Sequence, residues 1–209
     1  MARIDIITGM AELDEDLVVE GVKERLAAGV PAGEILGELQ QGMEQVGKLY
    51  EAGEYYLSEL ILSGDVFSTA ASLLEAALTA GGHSKNFGIV VLGTVKDDIH
   101  DIGKNIVATI LSCNGFKVVD VGVDASISTF VEAVKAHGPK VVGLCCLLTT
   151  ALDSMKKTVT AIKETDASIK VLVGGSPVDE KVARYCGADG YCKNAYDAVK
   201  HTRKFVGVN

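Results

Sequence analysis

The sequence predicts an α/β protein in which an N-terminal four-helix bundle precedes a five-stranded parallel sheet. Three features point to it. Residues 12–80 carry apolar side chains at helical spacing and no strand-like alternation. The stretch Ala80-Gly81-Gly82-His83-Ser84-Lys85-Asn86 is small and polar, as linkers are. From residue 87 onward, short apolar runs alternate with amphipathic stretches, the pattern of parallel strands joined by crossover helices. The chain therefore divides into a helical domain, 1–82, a linker, 83–86, and an α/β domain, 87–209.

In the helical part, Leu13, Leu17, Val18, Val22 and Leu26 mark a first stripe that ends near Gly29. Pro31 suits an early helical position, and Ile35, Leu36, Leu39, Met43, Val46 and Leu49 form the apolar face that follows. Leu57 to Ser63 and Val66 to Leu78 read as a third and fourth helix, separated by Ser63-Gly64-Asp65. Tyr50, Tyr55 and Tyr56 read either as core or rim aromatics or as a ring over a ligand. In the second part strands are expected at 87–93, 117–122, 140–145, 170–174 and 189–192. Helices are expected near 103–114, 127–137, 151–165, 178–186 and 194–206. Ser126 with Ser128, and Asp153 with Ser154, supply capping groups at two helix starts.

Composition narrows the function. The 209 residues are 48% hydrophobic and 23% charged, ordinary for a soluble globular protein. A formal net charge of -8 argues against nucleic acid and against an anionic membrane surface. Five cysteines without C-x-x-C spacing suggest neither a disulfide framework nor a thiolate zinc site, and fit a reducing cytoplasm. Met1-Ala2-Arg3-Ile4-Asp5 lacks the apolar core of a signal peptide, and no apolar run approaches the ~20 residues of a membrane helix. The expected location is cytoplasmic. No phosphate loop, Ser–His–Asp order or zinc signature appears.

Three loops should open on the C-terminal edge of the sheet, where open α/β sheets bind ligands. The first is Asp97-Asp98-Ile99-His100-Asp101-Ile102-Gly103, between the apolar run 87–93 and an amphipathic helix. Asp98 stands close enough to His100 to accept a hydrogen bond from one imidazole nitrogen while the other meets a metal. The second loop is Cys145-Cys146-Leu147-Leu148-Thr149-Thr150, and the third is Gly174-Gly175-Ser176-Pro177. Together they describe a slot with a metal-ligand candidate at its mouth, small or hydroxyl residues on its wall and glycines on its floor. Taken singly, each has a plainer meaning. His100 alone reads as a hydrogen-bonded loop histidine, and His83, His137 and His201 as surface histidines. Cys145-Cys146 reads as a redox pair or as buried wall. Asp101 and Asp153 read as general bases or as capping and solvated groups.

The pattern Asp98-x-His100-x-x-Gly103, then 41 residues, Cys145-x-Leu147, then 26 residues, Gly174-Gly175, resembles the cobalamin-binding (vitamin B12) family with the Asp-x-His-x-x-Gly signature. The likeness covers nearly the whole chain. The bundle looks like the cap module that precedes the corrinoid domain in methyl-transferring members such as methionine synthase, and the remainder like a flavodoxin/Rossmann-like domain. The resemblance implies that His100 is the lower axial ligand of cobalt, replacing the cofactor's own benzimidazole, and that Asp98 orients it. It implies that Asp97, Ile99, Asp101 and Gly103 lie against the cofactor with them. The displaced nucleotide tail would enter the slot bounded by Cys145, Leu147, Thr149, Gly174 and Gly175. The Thr149 hydroxyl would contact the cofactor, and Gly190-Tyr191-Cys192 would close round the tail.

The implied cofactor is cobalamin or a related corrinoid, carrying methyl as methylcobalamin. The implied function is that of a corrinoid methyl-carrier subunit of a multi-component methyltransferase, rather than a complete enzyme. O-demethylation is the first expectation, with methylamine or methanol systems beside it. The implied partners are a substrate methyltransferase, an acceptor methyltransferase using tetrahydrofolate or a thiol, and a reductive activator. Helices around Leu57, Leu60 and Ile61 would cover the upper cobalt face. Two alternatives are a cobalamin-dependent sensor or regulator module and the small cobalamin subunit of a mutase. Three positions depart from the family pattern. Cys145 replaces a serine and is the weaker donor. Asp97 replaces a glycine, so a positive φ would be less easily met there. Ala151 lacks the hydroxyl that extends the Asp–His pair in some relatives.

Overall fold

A computed structural model describes residues 5–74, 77 and 87–208. The chain divides into two compact units, Met1–Lys85 with Cys113–Gly115, and Asn86–Ser112 with Phe116–Asn209. The expected linker at 83–86, His83 and Leu78 lie outside the described residues.

The described part of the first unit holds α1 (Ile6–Glu12), α2 (Glu15–Ala27), α3 (Ala32–Ala52) and α4 (Leu57–Ser72). Aspartates start the first two. Asp5 accepts from the amides of Ile7 and Thr8, and Asp14 accepts from that of Leu17 at 3.0 Å. Ile6, Met10, Val18, Val22, Ile35, Leu39, Met43, Val46 and Leu60 make the buried interior. At Gly42 any side chain would run into Met10, so bare backbone on α3 lets α1 pack closely. Arg25 is drawn into this interior with its charge paired to Glu38, Nη2 to Oε2 2.9 Å.

Two helices differ from their sequence reading. A short helix, α1, precedes the first expected one. Leu13, in the left-handed region at φ 61, ends α1 rather than opening α2. Seven residues are too few for apolar periodicity to register. The third and fourth expected helices are one continuous helix over 57–72, because Ser63-Gly64-Asp65 does not break it. Ser63 is buried and donates its hydroxyl to the Leu60 carbonyl at 2.8 Å, so its polarity is absorbed within the helix. The described region still contains four helices. Tyr55 donates to the Ala11 carbonyl at 2.7 Å as a rim aromatic, whereas Tyr56 is exposed.

The second unit contains β1 (Ile89–Thr94), β2 (Lys117–Asp120), β3 (Val141–Cys145), β4 (Lys170–Gly174) and β5 (Gly190–Cys192). All pair in parallel, in the order β2-β1-β3-β4-β5. The intervening helices are α5 (Ile102–Cys113), α6 (Ile127–His137), α7 (Leu152–Thr165), α8 (Glu180–Cys186) and α9 (Ala195–Val206). One sheet face, with Val91, Val142, Leu144, Val171 and Val173, packs on α6, α7 and α8 through Phe130, Met155, Val159, Ile162 and Ala183. The chain runs outward from β1 in both directions, so the switch point falls between β1 and β3. The C-terminal ends of those two strands carry the first and second loops.

Ser126 caps α6 as expected, its hydroxyl accepting from the Thr129 amide at 3.2 Å. Asp153 does not cap α7, which starts through a 3₁₀ turn over Thr149–Ala151. Its carboxylate instead accepts from the Tyr185 hydroxyl at 2.7 Å. Among the described residues no helix is long and apolar enough to cross a membrane.

Candidate functional site

The first loop leaves β1 at Thr94, which is buried and donates its hydroxyl to the His100 carbonyl at 2.7 Å. That bond folds residues 95–100 back over the strand end. At its centre sits Asp98, with no exposed surface. One carboxylate oxygen, Oδ1, accepts from His100 Nδ1 at 2.7 Å and from the His100 amide at 3.1 Å. Oδ2 accepts from the amides of Leu147 and Leu148, the latter at 3.0 Å. An ionised carboxylate can only accept, so Nδ1 carries the proton and Nε2 keeps its lone pair free for a metal. The imidazole is 47% exposed, so that lone pair is reachable.

Burial alone would push the Asp98 carboxyl up. The His100 ring, the Leu147 amide, the His100 amide and the Leu148 amide outweigh it and bring it down to about 2, against an ordinary 3.8. A carboxyl held below its unfolded value stabilises the fold above that value and loses the contribution as pH falls through the folded one. The difference corresponds to roughly 2 kcal/mol at pH 7. Asp98→Asn is therefore expected to lower stability at pH 7 by at least that much. It should also flatten the loss of stability between about pH 5 and 2, read from unfolding curves across pH. An acid profile of the same steepness in variant and parent would contradict the burial and hydrogen bonding described.

The second and third loops meet the first along one row. Thr94 lies opposite Cys145, Cys145 opposite Gly174, and Gly174 opposite Cys192. Side chains in register on parallel strands share a face, so Cys145 and Cys192 flank the side-chain-free Gly174. Burial pushes both thiols up to about 12, so they stay neutral and are weak donors. Cys146 belongs to the opposite face, within the α6–α8 core. All five cysteines are free thiols, and Cys145 and Cys146 point apart.

Gly175 adopts φ 127, and a side chain there would run into the Cys146 carbonyl. The chain itself thus requires this glycine, whose carbonyl accepts from the Val178 amide at 2.9 Å. Thr149 is exposed in the 3₁₀ turn, and Ala151 is fully buried. Asp101 is exposed just before α5 and accepts a side-chain bond from Asn105 at 3.4 Å. Gly103 has open space beside it. Ile99 and Ile102 are about three-quarters exposed, at 73% and 76%, with Leu147, Leu148 and Val123 exposed as well. So many bare apolar side chains beside one imidazole suit an apolar partner.

Two further groups, Asp124 and Lys104, escaped the sequence reading. Asp97 adopts φ 72, the positive value that its family position implied. Its amide donates to Asp124 Oδ1 at 2.8 Å, and its Oδ2 accepts from the Ser154 hydroxyl at 2.8 Å. Asp124, itself at φ 50, donates its amide to the Asp98 carbonyl at 2.8 Å and pairs with Lys96 at 2.8 Å. Lys104 is almost wholly buried and pairs with Asp120 at the end of β2. No sequence signal marks Asp124 or Lys104, because each partner lies on a different element, far along the chain.

Among the described residues no group of three or more His, Cys, Asp or Glu side chains is disposed to hold a metal ion. A lone, pre-oriented imidazole serves a metal that brings its other ligands with it, as in a macrocycle. The apolar apron of Ile99, Ile102 and Leu147 fits the face of such a ring, and the bare Gly174 edge fits a substituent running between β3 and β5. The site therefore suits a group that takes a single imidazole nitrogen from the protein, as a metal macrocycle does. The chain belongs to the B12 binding domain family, which matches residues 88–200, with a second B12 binding domain match over residues 5–75. Its cofactor is cobalamin or a related corrinoid.

Among its relatives, trimethylamine corrinoid protein 2 of Methanosarcina mazei is 38% identical over 203 residues, 95% of this chain and 93% of the relative. Dimethylamine corrinoid protein 2 of the same organism is 37% identical over 194 residues, 92% and 91% of the two chains. A cobalamin-binding protein from Desulfitobacterium hafniense superposes with a TM-score of 0.81 at 38% identity, covering 96% of each chain. The methanol:cobalamin methyltransferase complex of Methanosarcina barkeri gives 0.84 at 29% identity, over 98% of this chain and 79% of that one.

Proposed function

We propose that the chain is the corrinoid methyl carrier of a cytoplasmic methyltransferase system that demethylates a methylamine. One observation carries the cofactor side of this reading: Asp98 holds His100 Nδ1 at 2.7 Å while the rest of the ring stands open among exposed apolar side chains. The choice of methylamine over the O-demethylation first expected rests on relatives named for dimethylamine and trimethylamine. The methanol:cobalamin methyltransferase complex supports a substrate methyltransferase as direct partner. An acceptor methyltransferase and a reductive activator complete the proposal.

When bound, the corrinoid's cobalt accepts and releases the methyl group. The chain's own residues do the rest. His100 would hold the cobalt through Nε2, with Asp98 fixing its tautomer and raising its basicity. Ile99, Ile102 and Leu147 would exclude water around that nitrogen. Cys145, Thr149, Gly174, Gly175 and Cys192 line the path for the nucleotide tail, with Gly103 leaving room beside it. We propose 1–82 as the cap domain and 87–209 as the corrinoid-binding domain, with 83–86 between them in sequence.

The test is to load the protein with hydroxocobalamin, reduce it, and add a dimethylamine or trimethylamine methyltransferase with its amine. Stoichiometric loading, and amine-dependent change in the cobalt absorption spectrum, are expected. Loading without any response to methylamines, but with response to a phenyl methyl ether and its methyltransferase, would return the substrate to O-demethylation.

A further inference from the structure

We propose that Asp97 and Ser154 form a latch that keeps the first loop from pivoting, making both of them positioning residues for His100. The proposal rests on corrinoid ligation by His100. Its starting point is a backbone anomaly. Asp97 stands at φ 72, where a side chain is disfavoured relative to glycine, yet the position holds an aspartate. The carboxylate has a specific partner there, since Oδ2 accepts from Ser154 Oγ at 2.8 Å.

The partner's location matters. Ser154 lies in the first turn of α7, on the segment that also presents the Leu147 and Leu148 amides to Asp98 Oδ2. Asp97 and Asp98, adjacent in sequence, thus grip the same β3–α7 segment at two separate points. A loop held at Asp98 alone can rotate about that carboxylate and carry His100 with it. A second grip one residue away removes that rotation. Asp124 closes the frame from the β2–α6 loop by accepting from the Asp97 amide and donating to the Asp98 carbonyl, both at 2.8 Å. The imidazole is half exposed and is held at Nδ1 by Asp98, so its direction depends on the loop that carries Asp98.

A latch and a mere surface hydrogen bond differ in their consequences. Asp97→Gly removes the grip and relieves the positive φ, so the unloaded fold should melt at the same temperature or higher. Its loaded form should nevertheless show a lower fraction of histidine-ligated cobalt, and hydroxocobalamin should bind about five- to tenfold more weakly, as expected for one lost positioning hydrogen bond. Ser154→Ala should do the same to the spectrum and affinity. The double variant should be no worse than either single one, because both remove one interaction. Asp97→Asn keeps an acceptor oxygen and tolerates the backbone, and should behave like the parent.

The experiment is a hydroxocobalamin titration of these four variants, reading the dissociation constant and the cobalt absorption spectrum, with melting curves of the unloaded proteins. Ser154→Ala matching the parent in both readings overturns the latch, as do strictly additive effects of the two single changes. Failure of the parent itself to take up corrinoid would instead overturn the proposed function, and the latch's role in ligation with it.

Discussion

Replacing His100 by alanine is expected to leave the protein folded and to remove histidine from the cobalt coordination sphere. The fold should tolerate the change because the imidazole is 47% exposed, and the Asp98 carboxylate keeps three of its four donors, the amides of His100, Leu147 and Leu148. A shift in stability of about 1 kcal/mol, that of a single hydrogen bond, is the expected scale. Corrinoid affinity should fall far more. Removing an outer partner of a metal ligand already costs about 10–100-fold, so removing the ligand itself should cost at least the upper end of that range. Any corrinoid still bound should carry the absorption spectrum of a cobalt without imidazole. Retention of the parent spectrum in His100→Ala would remove His100 from the site and, with it, the reason for the Asp98 geometry.

The parts of this site that were legible in the sequence are those whose physics is local or regularly spaced. Asp98 and His100 are two residues apart, so their hydrogen bond can be read from a single loop. The five strands were legible because each is a short apolar run between helical stretches, and their parallel pairing follows from the crossovers. Gly174 and Gly175 could be found because bare backbone at a strand end has few other uses, although Gly175 turns out to be needed first by its own chain, against Cys146. What escaped was non-local. Asp124 reaches Asp97 across 27 positions, and Lys104 reaches Asp120 across 16, with no spacing rule joining them. In the helical unit the errors were of boundary. Leu13 continued the apolar spacing of α2 while closing α1 with a positive φ, and Ser63-Gly64-Asp65 imitated a turn inside a helix whose Ser63 hydroxyl bonds to its own backbone.

Gly175→Ala should be the most damaging single-methyl change in the second unit, and its neighbour supplies the control. At Gly175 two penalties coincide: φ 127 lies outside the range that side chains adopt, and the added methyl would occupy the position of the Cys146 carbonyl, which belongs to rigid backbone. Neither can be relieved without moving the β4–α8 turn away from the end of β3, where the Cys146 amide donates to the Gly174 carbonyl at 3.0 Å. Gly174 has no positive φ, and a methyl there would lie 3.1 Å from the Cys192 carbonyl, a contact that a shift of a few tenths of an ångström relieves. Destabilisation of about 3 kcal/mol or more is expected for Gly175→Ala, against about 1 kcal/mol for Gly174→Ala. In a chain of this size that is a fall in melting temperature of roughly 6–12 °C against a few degrees. Because the same turn borders the row of Cys145, Gly174 and Cys192, the Gly175 variant should also load less hydroxocobalamin at a temperature where it remains folded. Equal melting temperatures for the two variants would mean that the turn yields easily, and that the glycine pair serves the ligand rather than the chain.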